Sequence, residues 1–350
     1  MAVFPFGRKM TIEFTRSAGL TENLLVLDGL TGTGKTMIAS LLESYDRVEV
    51  GRFIYDIEFI SISGGLGQQS HEATKAILGL IIDSKLYDNM ISREVNFRPS
   101  DLSSVFKSRR VMDYLKRLFR PDGDAVENRL KSENPIMMIN THQLLGMMDA
   151  LFDQFEHRIK VVEMQRHPLY MLEHWMSYMD MHGNSARDFT IWLKDHDGKP
   201  VPWFAHDWKD EYWSLSKFDR VVLSIDSLTR ARDRQYASQS SETLMCIPFE
   251  DFTLNTHDYV DRIANWLGTT VTSTTARACK SQNLPRTNIN AGINRKIYQR
   301  YGYRNTESLE SHEDNYQSRL DYARSHQTER STPVLERLIN SYEAQHGLWF

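Results

Sequence analysis

The chain has 350 residues, of which 41% are hydrophobic, 25% charged and 11% aromatic; that is the composition of a globular protein and excludes collagen, coiled coil and wholesale disorder. A net charge of −4 excludes a bulk basic field, so no nucleic-acid partner is expected, and two cysteines, Cys246 and Cys279, are too few for a disulfide framework. No apolar run approaches the roughly 20 residues of a membrane span, and Met1 to Arg16 lacks the apolar stretch of a secretion signal, so a cytoplasmic protein is expected.

In chain order, Asn23 to Asp28 is a short apolar run that ends in a glycine-rich turn and reads as a buried parallel strand. Met37, Ile38, Leu41, Leu42 and Tyr45 then recur at helical spacing. Phe53 to Ile62 reads as strand or buried helix, closed by the glycine-rich connection Gly64 to Gly67, and residues 70–134 read as mostly helical. Pro135 to Asn140 is a second strand, followed by Thr141-His142 and a helix rich in Leu and Met. Ile159 to Met164 is a third, with a helix opening at Arg166-His167-Pro168, where proline suits a first helical position. Val221 to Ile225 reads as a fourth strand, Asp226 to Glu242 as a polar loop or lid, and Leu244 to Ile247 as a fifth strand. Strands alternating with helices predict an α/β fold of P-loop type, a mostly parallel sheet flanked by helices on both faces. A single domain over 1–350 is expected, with its core at about 21–280 and a helical C-terminal extension over 281–350.

Gly29-Leu30-Thr31-Gly32-Thr33-Gly34-Lys35-Thr36 fits G-x-x-x-x-G-K-[ST] and stands between a strand and a helix, as that motif requires. Glycines let backbone N–H groups converge on an anion, the helix N-terminus adds partial positive charge, and Lys35 neutralises phosphate oxygens. A nucleotide is therefore expected on Gly29, Thr31, Gly32, Thr33, Gly34, Lys35 and Thr36. The loop does not say which group is transferred.

Arg166, at a strand end, can grip a second phosphate in a bidentate manner away from the first loop. In the helix after it Leu169, Leu172, Met176 and Met179 form the buried stripe and leave Tyr170, His174 and Ser177 on another face. Further on, Cys246 to Phe252 leads into a helix with Val260, Ile263, Ala264 and Leu267 on one stripe and Gly268 just past its end.

Taken in order, these pieces resemble the sulfotransferase superfamily, whose donor is 3′-phosphoadenosine 5′-phosphosulfate (PAPS). Four segments carry the resemblance over about 24–268: the loop at 29–36, Thr141-His142, Arg166 with Pro168, and Phe249-Glu250-Asp251-Phe252 followed by the helix ending Trp266-Leu267-Gly268. The resemblance implies a transferase that passes a sulfuryl group to a hydroxyl acceptor such as a glycan, a lipid or a small molecule. It implies Lys35 and Thr36 at the 5′ end of the donor, Arg166 at the 3′-phosphate, His142 as the base that removes the acceptor proton, and no metal. The chain departs from that family's pattern at three places. Gly32 stands where its P-K-x-G-T-T loop has lysine, His174 falls where it has serine, with Ser177 one turn later, and Asn140 precedes Thr-His where lysine is common. Arg286, Arg295 and Lys296 are the candidates for its R-K-G element.

Two other classes fit parts of the same sequence. An ATP-dependent kinase would use the G-K-T ending, place Mg²⁺ on Thr36, and take an acid from Asp226 at the end of a 221–225 strand, with Arg230, Arg232 and Arg234 in a lid. A nucleotide-binding switch would keep the loop without using His142. Asp195-His196-Asp197-Gly198 reads as a hydrophilic turn rather than a metal cluster, and the tryptophans at 203, 208 and 213 read as packing, with an acceptor cleft as the alternative.

Overall fold

All six residues of β1 (Leu24–Gly29) are buried, which is how an unbroken apolar run behaves inside a parallel sheet covered on both faces. The computed structural model describes residues 14–16, 18–101, 104–108, 110–183, 188–292 and 310–350. Within them the later strands are β2 (Arg52–Phe53), β3 (Met137–Asn140), β4 (Ile159–Gln165), β5 (Trp192–Lys194), β6 (Pro200–Pro202) and β7 (Leu244–Pro248). Five form one parallel sheet in the order β2-β3-β1-β4-β7, and β5 and β6 form a separate antiparallel hairpin.

The helices are α1 (Lys35–Leu42), α2 (Tyr55–Gly65), α3 (His71–Met90), α4 (Val111–Arg117), α5 (Asp124–Glu133), α6 (Asp149–Phe155), α7 (Leu172–Met181), α8 (Lys217–Ser238), α9 (Phe249–Leu254), α10 (Thr256–Leu267), α11 (Thr275–Ser281), α12 (His312–His326) and α13 (Thr332–His346). The α/β reading, the loop between strand and helix, and the helical character of 70–134 all hold. The α10 stripe is buried at Ile263, Ala264 and Leu267, and Gly268 closes the helix in the left-handed region at φ 69°.

Two expectations are corrected. Val221 to Ile225 lies inside the 22-residue helix α8, so neither the fourth strand nor the polar lid after it exists. Phe218, Val221, Val222, Ile225 and Leu228 are buried at steps of three and four, and Ser216 starts the helix by accepting from the Asp219 amide while donating to its carboxylate. The 53–62 stretch divides into the two-residue strand β2 and helix α2, with Gly64 and Gly65 still helical.

The sheet order decides where the chemistry sits. Register pairs Leu27 with Asn140, Gly29 with Met164 and Gln165 with Pro248, so the C-terminal ends of all five strands come out along one edge. That edge carries Phe53, Thr141-His142, the 29–36 loop, Arg166 and Phe249 in spatial order. Neighbouring strands lie about 4.8 Å apart, so the ends of β3, β1 and β4 span roughly 10 Å.

At the other edge, just ahead of β2, the carboxylate of Glu49 is buried. It accepts from Arg117 at 2.7 and 2.9 Å, Arg110 at 3.1 Å, Tyr114 at 2.6 Å and Asn89 at 2.9 Å. Burial pushes this carboxyl up, but the hydrogen bonds and charges of Arg117 and Arg110 outweigh that and bring it down to about 2.

The C-terminal helix α13 buries Leu335, Leu338, Ile339 and Tyr342, and the first three join the same core as β1. Its polar side latches onto the β4 end: Tyr342 donates to Glu250 at 2.6 Å, His346 meets Gln165 at 3.0 Å, and Glu343 meets His167 at 3.2 Å. Among the described residues no helix is long and apolar enough to cross a membrane.

Candidate functional site

The glycine turn is forced by its surroundings. A Cβ on Gly29 would come within 2.4 Å of the Met164 carbonyl, and one on Gly34 within 2.6 Å of the Phe249 ring; both residues also have positive φ, at 143° and 94°. Thr33 is buried and closes the turn by donating its amide and hydroxyl to the Leu30 carbonyl at 3.2 and 2.8 Å. The backbone therefore makes a tight turn that runs into the start of α1, an arrangement suited to an anion.

Lys35 opens α1 and is buried. Its ammonium donates to the carbonyls of Gly29 and Leu30, reaching Leu30 at 3.1 Å. Burial lowers its pKa, opposed by the nearby negative charges of Asp28, Glu58 and Glu163. Thr36 follows it, exposed.

Arg166 is the first residue past β4. One Nη donates to the Gly32 carbonyl at 2.9 Å, and the guanidinium lies 4.3 Å from the Phe249 ring centroid. Sequence reasoning set this arginine away from the loop. The structure puts it on the loop, because the register that aligns Met164 with Gly29 leaves position 166 beside the turn. Arg286 faces the same Phe249 ring at 5.8 Å, while Arg295 and Lys296 lie outside the described residues.

His142 stands two residues past β3, held from three sides. Its backbone amide and Nδ1 both lie 2.9 Å from Glu58 Oε1 on α2. Its ring stacks on Phe53 with centroids 4.2 Å apart, and Tyr55 lies parallel at 6.2 Å. The buried Asp28 fixes the backbone on either side, accepting from the Thr141 hydroxyl at 2.7 Å and the amides of Leu144 and Leu145 at 3.0 and 2.8 Å. The ring remains 34% exposed.

The next residue couples this histidine to the loop. Gln143 donates its amide to the Gly29 carbonyl at 3.1 Å, and its side-chain oxygen accepts from the Thr31 hydroxyl at 2.9 Å and the Thr31 amide at 3.2 Å. Helix α7 braces the same point: Trp175 donates to the Thr31 carbonyl at 2.9 Å. His174 is buried and Ser177 half-buried on this helix. Tyr170, expected on the other face, is buried too.

Sequence reasoning gave no role to Asp28, Glu58, Gln143 or Trp175. Glu58 is 84 residues from His142, and no local pattern could pair them.

The segments read as uninvolved are placed as follows. Asp226 lies within α8 and pairs with Arg230 at 3.0 Å and Arg337 at 2.7 Å, so it is not the strand-end acid a kinase would need. Arg232 is held by Asp233 at 2.7 Å and lies 3.9 Å from Glu163. Asp195 closes the β5–β6 turn by accepting from the amides of Asp197 and Lys199. Trp203 and Trp208 are buried, whereas Trp213 is exposed. The exposed aromatic surface beside His142 consists of Phe53, Tyr55 and Phe189, with Tyr55 and Phe189 5.2 Å apart.

No family model matches the chain, and no curated protein is similar to it. Solved structures similar to it are sulfotransferases. The sulfotransferase domain from the curacin biosynthetic pathway shares 9% identity over 93% of this chain and 99% of that one, with a TM-score of 0.47. The sulfotransferase domain of the Synechococcus PCC 7002 olefin synthase shares 11% over 95% and 98%, also at 0.47. A mouse sulfotransferase complexed with PAP shares 10% over 92% and 89%, at 0.35.

Proposed function

We propose that the chain is a sulfotransferase that carries a sulfuryl group from PAPS to a hydroxyl acceptor. The observation that supports this most is the Gln143 clamp, which ties His142 to an anion loop that Lys35 and Arg166 also touch. An anion loop alone serves many reactions, whereas a loop bonded to the segment of an orientated imidazole suits removal of an acceptor proton beside a polyanionic donor.

In this reading the loop amides of Gly32 and Gly34, with Lys35 and Thr36, hold the 5′-phosphosulfate, and Thr33 closes the turn that presents them. Arg166 holds the 3′-phosphate, with His174 and Ser177 as further contacts from α7. The acceptor enters over Phe53, Tyr55 and Phe189. Its oxygen bonds to sulfur as the sulfur–oxygen bond to the 5′-phosphate breaks, and its proton passes to His142. Lys35 is the cation for the charge that gathers on the departing phosphate; its partners are neutral carbonyls, so an anion can draw it away without breaking a salt bridge. No step assigned to these residues uses a metal ion.

The kinase reading loses the support it drew from Asp226, now in a helix and ion-paired. Calorimetry comparing 3′-phosphoadenosine 5′-phosphate with ATP–Mg²⁺ tests the choice. At least tenfold tighter binding of the bisphosphate, about 1.4 kcal/mol, is expected, together with sulfuryl transfer from PAPS that survives a chelator. A preference for ATP would overturn the proposal.

A further inference from the structure

We infer that Glu58 is the positioning residue of His142: it holds the imidazole as the Nδ1–H tautomer, leaving Nε2 bare as the nitrogen that receives the acceptor proton. The inference rests on the reading of His142 as base, but its geometry stands apart from it. An ionised carboxylate has no proton to give, so at the 2.9 Å contact with Glu58 Oε1 it is Nδ1 that donates. A neutral ring with its proton on Nδ1 carries its lone pair on Nε2.

The same Oε1 also accepts the His142 backbone amide at 2.9 Å, so one oxygen fixes both the chain and the ring at that residue. Glu58 is itself held, its side chain only 9% exposed and anchored in α2. Phe53 stacked on the ring face opposes rotation about the bond to the imidazole, which leaves the ring in a single orientation. The negative charge of Glu58 also acts on the ammonium of Lys35. Lys35 belongs to the phosphate loop, so Glu58 lies electrostatically between base and anion site. It matches the positive charge that His142 gains on taking a proton.

Histidine nitrogen NMR of the full chain at about pH 8.5, where a free imidazole is neutral, reads the tautomer directly, with His142 identified by its loss in His142→Ala. Expected in the unaltered protein is a protonated Nδ1 and a bare Nε2. Glu58→Ala moves the proton towards Nε2. Glu58→Gln keeps an oxygen for both donors and so keeps the tautomer, but without its charge kcat falls about tenfold with the KM for PAPS within about twofold. A proton found on Nε2 in the unaltered protein, or a tautomer unmoved in Glu58→Ala, would overturn the assignment. If the tautomer results hold and no hydroxyl compound accepts sulfate, the proposed function fails while the Glu58 assignment stands.

Discussion

The two edges of the parallel sheet both bury cations, and they treat them in opposite ways. Ahead of β2, Arg117 and Arg110 close on the carboxylate of Glu49, with Glu133 and Asp113 as their further partners. Past β1, Lys35 donates to carbonyls of the glycine turn, which are neutral and weaker partners, while Arg166 past β4 reaches the same turn with the Glu250 carboxylate acting on it. A buried cation matched by a carboxylate locks structure, and removing either partner strands a charge. A cation resting on carbonyls can exchange them for a phosphate at small cost, because charge-assisted bonds are roughly twice as strong as neutral ones. One edge is built to stay as it is; at the other, the proposed function has a ligand take the place of the carbonyls.

The contrast can be broken at either edge. Glu49→Ala should have the largest effect, destabilising the fold by about 3–5 kcal/mol in urea unfolding while leaving the activity of the folded fraction unchanged. The same carboxyl makes stability depend on acid. Held at about 2 when folded against an ordinary 4.5, it contributes stability that is complete above about pH 4.5 and is lost as pH falls towards 2. Glu49→Gln flattens that slope between pH 4.5 and 2 in acid titration of the unfolding midpoint. At the other edge Lys35→Met should cost about 10²–10³ in kcat with the fold intact by circular dichroism. His142→Ala should lower turnover about 10²-fold, and unchanged turnover in that folded variant would remove His142 from the reaction.

Arg166→Ala sharpens the comparison more gently. A selective loss of about 1.5–3 kcal/mol is expected for 3′-phosphorylated nucleotides by calorimetry, and equal weakening towards ATP would show that the residue does not read the 3′ position. The smallest effect belongs to Arg230→Ala, whose half-exposed pair with Asp226 should give less than about 1 kcal/mol of stability and no change in turnover.

The phosphate turn, four of the five sheet strands and the stripe of α10 were legible in the sequence because each depends on local spacing: glycines before a G-K-T, apolar runs of strand length, residues recurring every third and fourth place. The 221–225 run was misread because three β-branched residues in five look like strand in a short window. The helical signal sits in the wider one, from Ser216 with Asp219 through Phe218 to Leu228. What surrounds His142 was illegible for a different reason. Glu58, Phe53 and Asp28 reach it from three separate elements, and only the order β2-β3-β1 brings those elements together. Arg166 lay between these cases: its strand-end location was visible, but its touch on Gly32 came from a register no single segment encodes.

The latch of α13 on Glu250, Gln165 and His167 has a consequence for biosynthesis. Those three residues surround Arg166 in sequence or space, and their partners Tyr342, His346 and Glu343 are translated 92, 181 and 176 residues after Glu250, Gln165 and His167 respectively. A nascent polypeptide can complete its central sheet while still tethered to the ribosome, yet the β4 end gains these partners only after His346 has left the exit tunnel. On the proposed function, competence to bind the donor is thereby tied to having made the α13 segment.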